Sequence, residues 1–287
     1  MKSKFSAIKL FLILSITITL LSCASTQNTS DVQHTLNDSD FIPEEFIWQP
    51  VTEGIERFDF ENPDIPLVYH MVKINLAKEN LKLVYYPDEN TKKSGSGQFK
   101  GMKTERFAKN NDCVVAINAS PFSGKLFKKK IAGIHSFNKK EFSGTNNHYA
   151  AIAFSEDSNN SGYKAEIIPN QDQRCINNFD FSFGGFFVVL QNGEIDNSFK
   201  QIYDSRSGAG ISDNGKTLYL LAVEGENKNH SIGLTYPQCG KIFYAAGCTD
   251  ALELDGGGST QLCINGKSVL TYKAVRIQAN SFGFIIL

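Results

Sequence analysis

Ala251-Leu252-Glu253-Leu254-Asp255-Gly256-Gly257-Gly258-Ser259 reads as a brief strand that ends on a carboxylate and gives way to bare backbone. Residues 251–254 carry the apolar content of a buried strand, and Asp255 stands where that strand stops. Three consecutive glycines cost backbone entropy on folding and bring no side chain to a core. A tight connection between two strands would account for such a run. So would close approach of a ligand, with Gly256, Gly257 and Gly258 offering N–H groups as an anion-binding nest between Asp255 and Ser259. A nucleotide P-loop is disfavoured, because the required Gly-Lys-Ser/Thr ending is missing.

Upstream of this strand the sequence predicts a helix starting at Thr235. Thr235 can cap it, Gln238 stands three residues on, Pro237 falls in the first turn where its missing N–H costs nothing, and Leu234 can staple onto Cys239. Gly247 ends it. Farther out, short β-branched and aromatic runs at residues 67–76, 81–86, 149–154 and 217–223 are broken by Gly, Asn and Asp clusters and read as strands. A second helix is expected over residues 104–109, ahead of the buried run Cys113-Val114-Val115-Ala116-Ile117. The fold class that fits is α+β: a single strand-rich domain with a few helices, not a regular βαβ alternation. No repeat of solenoid type is present.

The N-terminus sets the compartment. Lys2, Lys4 and Lys9 precede an apolar run to Leu21, the pattern of a signal peptide. Its end, Leu20-Leu21-Ser22-Cys23, resembles a bacterial lipobox, which makes Cys23 the expected lipidation site and residues 1–22 a lipoprotein signal peptide. The apolar stretch is shorter than the ~20 residues of a membrane span. Residues 23–45 then read as a polar, disordered, lipid-anchored tether, and residues 46–103 as an N-terminal arm with the first strands of the body. The protein is therefore expected to be exported and held to a bacterial membrane by its N-terminal lipid.

Cleavage would leave 265 of the 287 residues, within reach of one large domain. Losing three of 29 basic residues leaves 26 against 30 acidic ones, so no basic surface suggests nucleic acid. Cys113, Cys175, Cys239, Cys248 and Cys263 remain after Cys23, and an oxidising compartment permits disulfides among them. Cys113 reads as a small core residue. His70, His135, His148 and His230 are scattered without zinc spacing.

Four further places set polar groups or glycines beside apolar strands. They are Asn118 directly after the buried run, Gly184 and Gly185 between aromatics, Arg206 as a planar fork for phosphate or carboxylate, and Glu224 ending an apolar strand. Singly, each has an ordinary structural explanation: a turn, close packing, a surface ion pair, a solvated strand end. No cofactor is predicted; Asp255, Glu224 and Asn118 offer hard oxygen ligands suited to calcium or magnesium, without a contiguous cation loop.

Taken together and in order, these residues resemble the phosphodiester glycosidase family. The likeness runs over roughly residues 104–287, is densest from Arg206 to Ser259, takes in Ser231-Ile232-Gly233-Leu234-Thr235, and is most specific at residues 251–259. The resemblance implies a single α+β domain over residues 104–287. Its pocket would gather Asn118, Arg206, Glu224, Asp255 and the glycine loop, and its substrate would be a glycan or sugar phosphate whose sugar 1-phosphodiester is hydrolysed. Asp255 and Glu224 become the catalytic candidates, and Asn118, Gly184, Gly185, Arg206, Gly256, Gly257, Gly258 and Ser259 the substrate-binding ones. A non-catalytic glycan-binding lipoprotein is the alternative. The chain departs from many relatives at Asn118-Ala119-Ser120-Pro121-Phe122, where they carry an Asn-Gly segment with two aromatics, and at Glu226, where they carry a basic residue.

Overall fold

The strand Thr217–Val223 is apolar without alternation because both of its faces are covered. Leu218, Leu220 and Ala222 enter one core, whereas Tyr219, Leu221 and Val223 enter another. Val68–Asn75 pairs with it in antiparallel register and divides the same way: Val72 and Ile74 face the first core, Tyr69 and Met71 the second. Arg206–Ser212 lies along its other edge, followed by Asp250–Glu253. These four strands are the centre of an eight-stranded antiparallel sheet, extended by Gln49–Thr52 and Ile55–Glu61 on one side and by Val188–Gln191 and Glu194–Ile195 on the other. The computed structural model describes residues 36–157 and 162–287.

Two five-stranded sheets complete the first core. One, built around Phe181–Gly184 and Ala151–Glu156, supplies Phe154 and Phe183; the other, built around Val115–Asn118 and Ser281–Ile286, supplies Ile117, Phe282 and Phe284. The second core lies between the opposite face of the large sheet and the helix Tyr236–Ala245, which contributes Ile242 and Phe243. That helix begins as its sequence predicts. Thr235 and Gln238 form a reciprocal capping box, Pro237 sits in the first turn, and Leu234 and Cys239 are both buried in the second core. The helix Thr104–Asn110 and the strands expected at residues 67–76, 81–86, 149–154, 217–223 and 251–254 also form, within a few residues of the expected bounds. A short helix at Arg174–Asn177 was not foreseen.

Two N-terminal expectations need correction or lie out of reach. The polar tether does not extend to residue 45. Leu36 and Phe41 are buried, Asp38–Asp40 forms a 3-10 helix, and Lys241 pairs with Asp38 at 2.7 Å. Residues 46–103 contribute strands to the body itself: Leu36–Leu287 is one unit, and Ile55–Glu61 hydrogen-bonds to Val68–Asn75 inside the large sheet. Burying Phe58 and Ile55 repays the ordering of that hairpin. The signal peptide and Cys23 lie outside the described residues. Among those described, no helix is long and apolar enough to cross a membrane.

All five remaining cysteines are buried free thiols. They are divided among cores, Cys239 and Cys248 in the second, Cys175 under Ile134, and Cys113 with Cys263 against the helix Thr104–Asn110. Burial pushes the Cys113 thiol up to about 12, so it behaves as a small apolar residue rather than as a nucleophile.

Candidate active site

Antiparallel pairing of Asp250–Glu253 with Arg206–Ser212 sets Gly208 opposite Glu253, which brings the start of one strand alongside the end of the other. Asp255 leaves its strand there and donates its N–H to Ala119 O at 2.8 Å. The chain then turns through the 3-10 segment Gly257–Ser259. Glycine is required twice in this turn. A Cβ on Gly256 would stand 2.7 Å from Ser205 O, and Gly257 has φ +56°, in the left-handed region. The three-glycine run is thus both a tight connection and an open floor. The N–H of Gly257 donates to Ser205 O and that of Ser259 to Gly256 O. The anion-binding nest expected from the glycine run therefore reduces to the amides of Gly256 and Gly258 at most.

A cleft of about 450 Å³ opens over this floor, lined by Phe186, Asp204, Arg206, Glu226, Tyr236, Asp255, Gly256, Gly257, Gly258 and Arg276. Arg206 is nearly buried. Its Nε donates to Leu234 O at 2.8 Å, a terminal nitrogen donates to Ile202 O, and the guanidinium lies 4.3 Å from the centroid of the Tyr236 ring. Arg276 is the opposite case. It is exposed, its one hydrogen bond among the described residues is a 3.4 Å contact to Ser259 Oγ, and its guanidinium lies over Gly258, where a Cβ would meet it at 3.1 Å. One fork is fixed and the other is free for a ligand.

Asp255 has an environment suited to proton transfer. Burial pushes its carboxyl up to about 6, against the Ser259 hydroxyl and the charges of Arg276 and Lys129, which pull it down. Behind it, on the face turned towards the helix Tyr236–Ala245, Glu253 is fully buried with neither carboxylate oxygen hydrogen-bonded among the described residues. Burial pushes Glu253 up to about 7, opposed by the Arg206 charge and the Cys239 thiol. Two acids in adjacent environments are thus held near neutrality.

The other expected residues have different places. Asn118 is fully buried beneath the turn: Nδ2 donates to Asp255 O at 2.6 Å, and Oδ1 accepts from Ser207 Oγ and Gln261 N at 2.9 Å each. It shapes the floor without facing a ligand. Ser259 is buried and turned to Asp255 and Arg276. Gly184 and Gly185 are also outside the cleft lining: a Cβ would strike Gln171 at the first and Leu252 at the second, so their smallness serves sheet packing.

Glu224 does not line the cleft either. Its carboxylate is 1 % exposed and bonded to His70 Nε2 at 3.1 Å, Thr271 N at 2.7 Å and Thr271 Oγ1 at 2.5 Å. Burial alone would raise its pKa, but these bonds outweigh it and hold the carboxyl below its usual range. His70 in turn bonds Asp59 through Nδ1 at 2.7 Å. Asp255, Glu224 and Asn118 are therefore not gathered as oxygen ligands, and no group of three or more His, Cys, Asp or Glu among the described residues is arranged to hold a metal ion.

Sequence reasoning overlooked Arg276, Asp204, Tyr236, Phe186 and the buried Lys129. Arg276 lies in an irregular segment with no pattern to mark it, and Lys129 hides in the basic run Lys128-Lys129-Lys130. Glu226 does line the cleft, so its positive charge comes from Arg206 and Arg276 instead.

A model of the phosphodiester glycosidase family matches residues 111–285. No curated protein matches the chain in sequence. Among solved structures, the catalytic domain of zebrafish N-acetylglucosamine-1-phosphodiester alpha-N-acetylglucosaminidase, auto-inhibited by its pro-peptide, superposes with a TM-score of 0.59 at 17% identity, covering 82% of this chain and 83% of that one. A hypothetical protein from Synechocystis superposes with a TM-score of 0.63 at 15% identity; the match covers 85% of this chain and only 64% of that longer one. These likenesses extend the shared fold to the strands before residue 111, and the family match spans the glycine turn, both arginines and Asp255: the chain belongs to the phosphodiester glycosidase family.

Proposed function

We propose that the protein is an exported, lipid-anchored hydrolase that cleaves the glycosidic bond of sugar 1-phosphodiesters in surface or envelope glycans. The observation that carries this reading is the lining of one cleft by a carboxyl pushed up to about 6, one arginine fixed by hydrogen bonds and one exposed, and a floor of glycine backbone. The bond in question joins an anomeric carbon to a phosphate oxygen. Its hydrolysis passes through an oxocarbenium-like transition state while phosphate departs. Phosphate is a good leaving group, so the demand for a strong general acid falls and stabilisation of the departing charge matters more. Arg276, with the amides of Gly256 and Gly258, meets that charge. Arg206, already held by two carbonyls and stacked on Tyr236, supplies a fixed field. Asp255 in its ionised form supplies the base or nucleophile. A carboxyl raised by burial is more basic than an exposed one and is still ionised above pH 6.

A purely glycan-binding role gives no reason to hold the Asp255 carboxyl up near 6 beside Arg276 and Lys129. A panel of sugar 1-phosphodiesters set against aryl glycosides without phosphate tests the substrate class. Release of free sugar from the phosphodiesters alone is the expected outcome, and turnover of the aryl glycosides at equal rate would refute it. The anchor is tested separately: labelled fatty acid should be incorporated into the full-length chain and lost in Cys23→Ala.

A further inference from the structure

The segment between Leu270 and Ala279 carries Arg276 into the cleft with no helix or strand to hold it. Its two ends are tied down by different means. At the far end Gln278 Nε2 donates to Ser259 O at 3.0 Å, Gln278 Oε1 accepts from Thr104 N at 3.1 Å, and the Gln278 backbone bridges Met102. At the near end Thr271 is exposed, yet both its N–H and its hydroxyl donate to the buried carboxylate of Glu224. Between these anchors Lys103 Nζ makes one further bond, to Ala274 O at 3.0 Å, and Lys273 and Val275 are exposed.

We propose that Glu224 is a positioning residue: through Thr271 it clasps the near end of this segment and thereby sets Arg276 over the glycine floor. Three features favour a clasp over a merely satisfied ion pair. The carboxylate is immobilised from behind, by His70 against Asp59 and by the backbone, where Glu224 N donates to Val68 O and Ser231 Oγ donates to Glu224 O. Its front makes two hydrogen bonds to a single residue, Thr271, at 2.7 and 2.5 Å, with His230 Nε2 farther off at 3.7 Å. Charge-assisted bonds of this kind are about twice as strong as neutral ones. Finally, among the described residues Arg276 makes only a 3.4 Å side-chain hydrogen bond of its own, to Ser259, so its location depends on the backbone that carries it. The clasp explains why a buried carboxylate stands near the cleft without lining it.

The assignment of Arg276 to the substrate phosphate rests on the function proposed above, whereas the clasp does not. Thr271→Val tests both while sparing the buried core, because Thr271 is exposed and only its hydroxyl is lost; Thr271→Ser keeps both donors. With the full-length protein, mass-resolved tryptic cleavage after Lys273 should be about tenfold faster in Thr271→Val than in the parent, and near parental in Thr271→Ser. A tenfold change corresponds to about 1.4 kcal/mol. KM for a sugar 1-phosphodiester should rise about tenfold in Thr271→Val with kcat within twofold. The same substitution in an Arg276→Ala background should change KM less than twofold. Equal cleavage rates in all three proteins would overturn the clasp. Faster cleavage with a KM effect that persists without Arg276 would overturn its action through that arginine. If the parent turns over no sugar phosphodiester, the functional reading fails while the cleavage rates still decide the clasp.

Discussion

Replacing Asn118 by alanine should uncouple the glycine turn from the sheet beneath it. The Asn118 side chain is completely buried and makes three hydrogen bonds: one to Asp255 O at 2.6 Å, and one each from Ser207 Oγ and Gln261 N at 2.9 Å. The Ser207 hydroxyl can rotate to another partner. The Asp255 carbonyl and the Gln261 N–H are backbone groups and cannot. Each buried group left unpaired costs about 1–3 kcal/mol, so two cost about 2–6 kcal/mol, a large part of a total stability of about 5–15 kcal/mol. For a domain of this size that is a fall in Tm of roughly 2–4 °C per kcal/mol. Urea unfolding followed by the fluorescence of Trp48, the single tryptophan, measures it; that indole packs on Phe58 and Tyr219 and will report loss of the core. A loss below about 1 kcal/mol, with the m-value unchanged, would refute the reasoning that Asn118 is the pin of this turn.

Other perturbations separate the remaining roles. Arg276→Ala should raise KM for a sugar 1-phosphodiester at least about tenfold and leave the urea midpoint unchanged, because its guanidinium is exposed and nearly free. Arg206→Ala should impair both activity and stability, since it removes two hydrogen bonds, to Leu234 O and Ile202 O, of which only Leu234 O keeps another donor, the Asp204 N–H; equal behaviour of the two variants would contradict the fixed and free assignment. The kcat/KM profile should rise as pH passes about 6, where Asp255 ionises, and a profile flat across that range would exclude the ionised carboxyl as the reacting form. Glu253 contributes to stability with a definite sign. Its folded value of about 7 lies above the ordinary 4.5, so between these limits the folded state holds a proton that the unfolded chain has released. Stability from this group is therefore present below pH 4.5 and falls as pH rises to about 7, by about 3 kcal/mol. Glu253→Gln should remove that fall, and denaturation midpoints measured from pH 4 to 8 that run parallel for parent and variant would show the group to be unperturbed.

The legible part of this molecule is local. The capped helix at Thr235 and the strands at residues 217–223 and 251–254 follow from caps and apolar runs that act over a few residues. The same reading places Asp255 and the glycines in a cleft, because bare backbone after a buried strand demands a reason. What it misassigns depends on partners far along the chain. Glu224 at a strand end looks solvated or catalytic until Thr271, 47 residues on, is seen to occupy it. Asn118 looks like a pocket residue until Asp255, 137 residues on, takes its amide. Arg276 carries no local signature at all, since its place comes from Glu224 at one end of an irregular segment and Ser259 at the other.

The role proposed for Asp255 is hydrolysis of the bond between a sugar and a phosphate in the cleft above the glycine turn. Its most direct test is release of free sugar from a purified sugar 1-phosphodiester by the parent and by Asp255→Asn, with circular dichroism confirming that both are folded. The parent should release sugar and a phosphomonoester in equal amounts, and the variant should be slower by at least about a hundredfold, as expected for loss of a positioned acid–base group. Equal rates of release from both proteins would contradict the account.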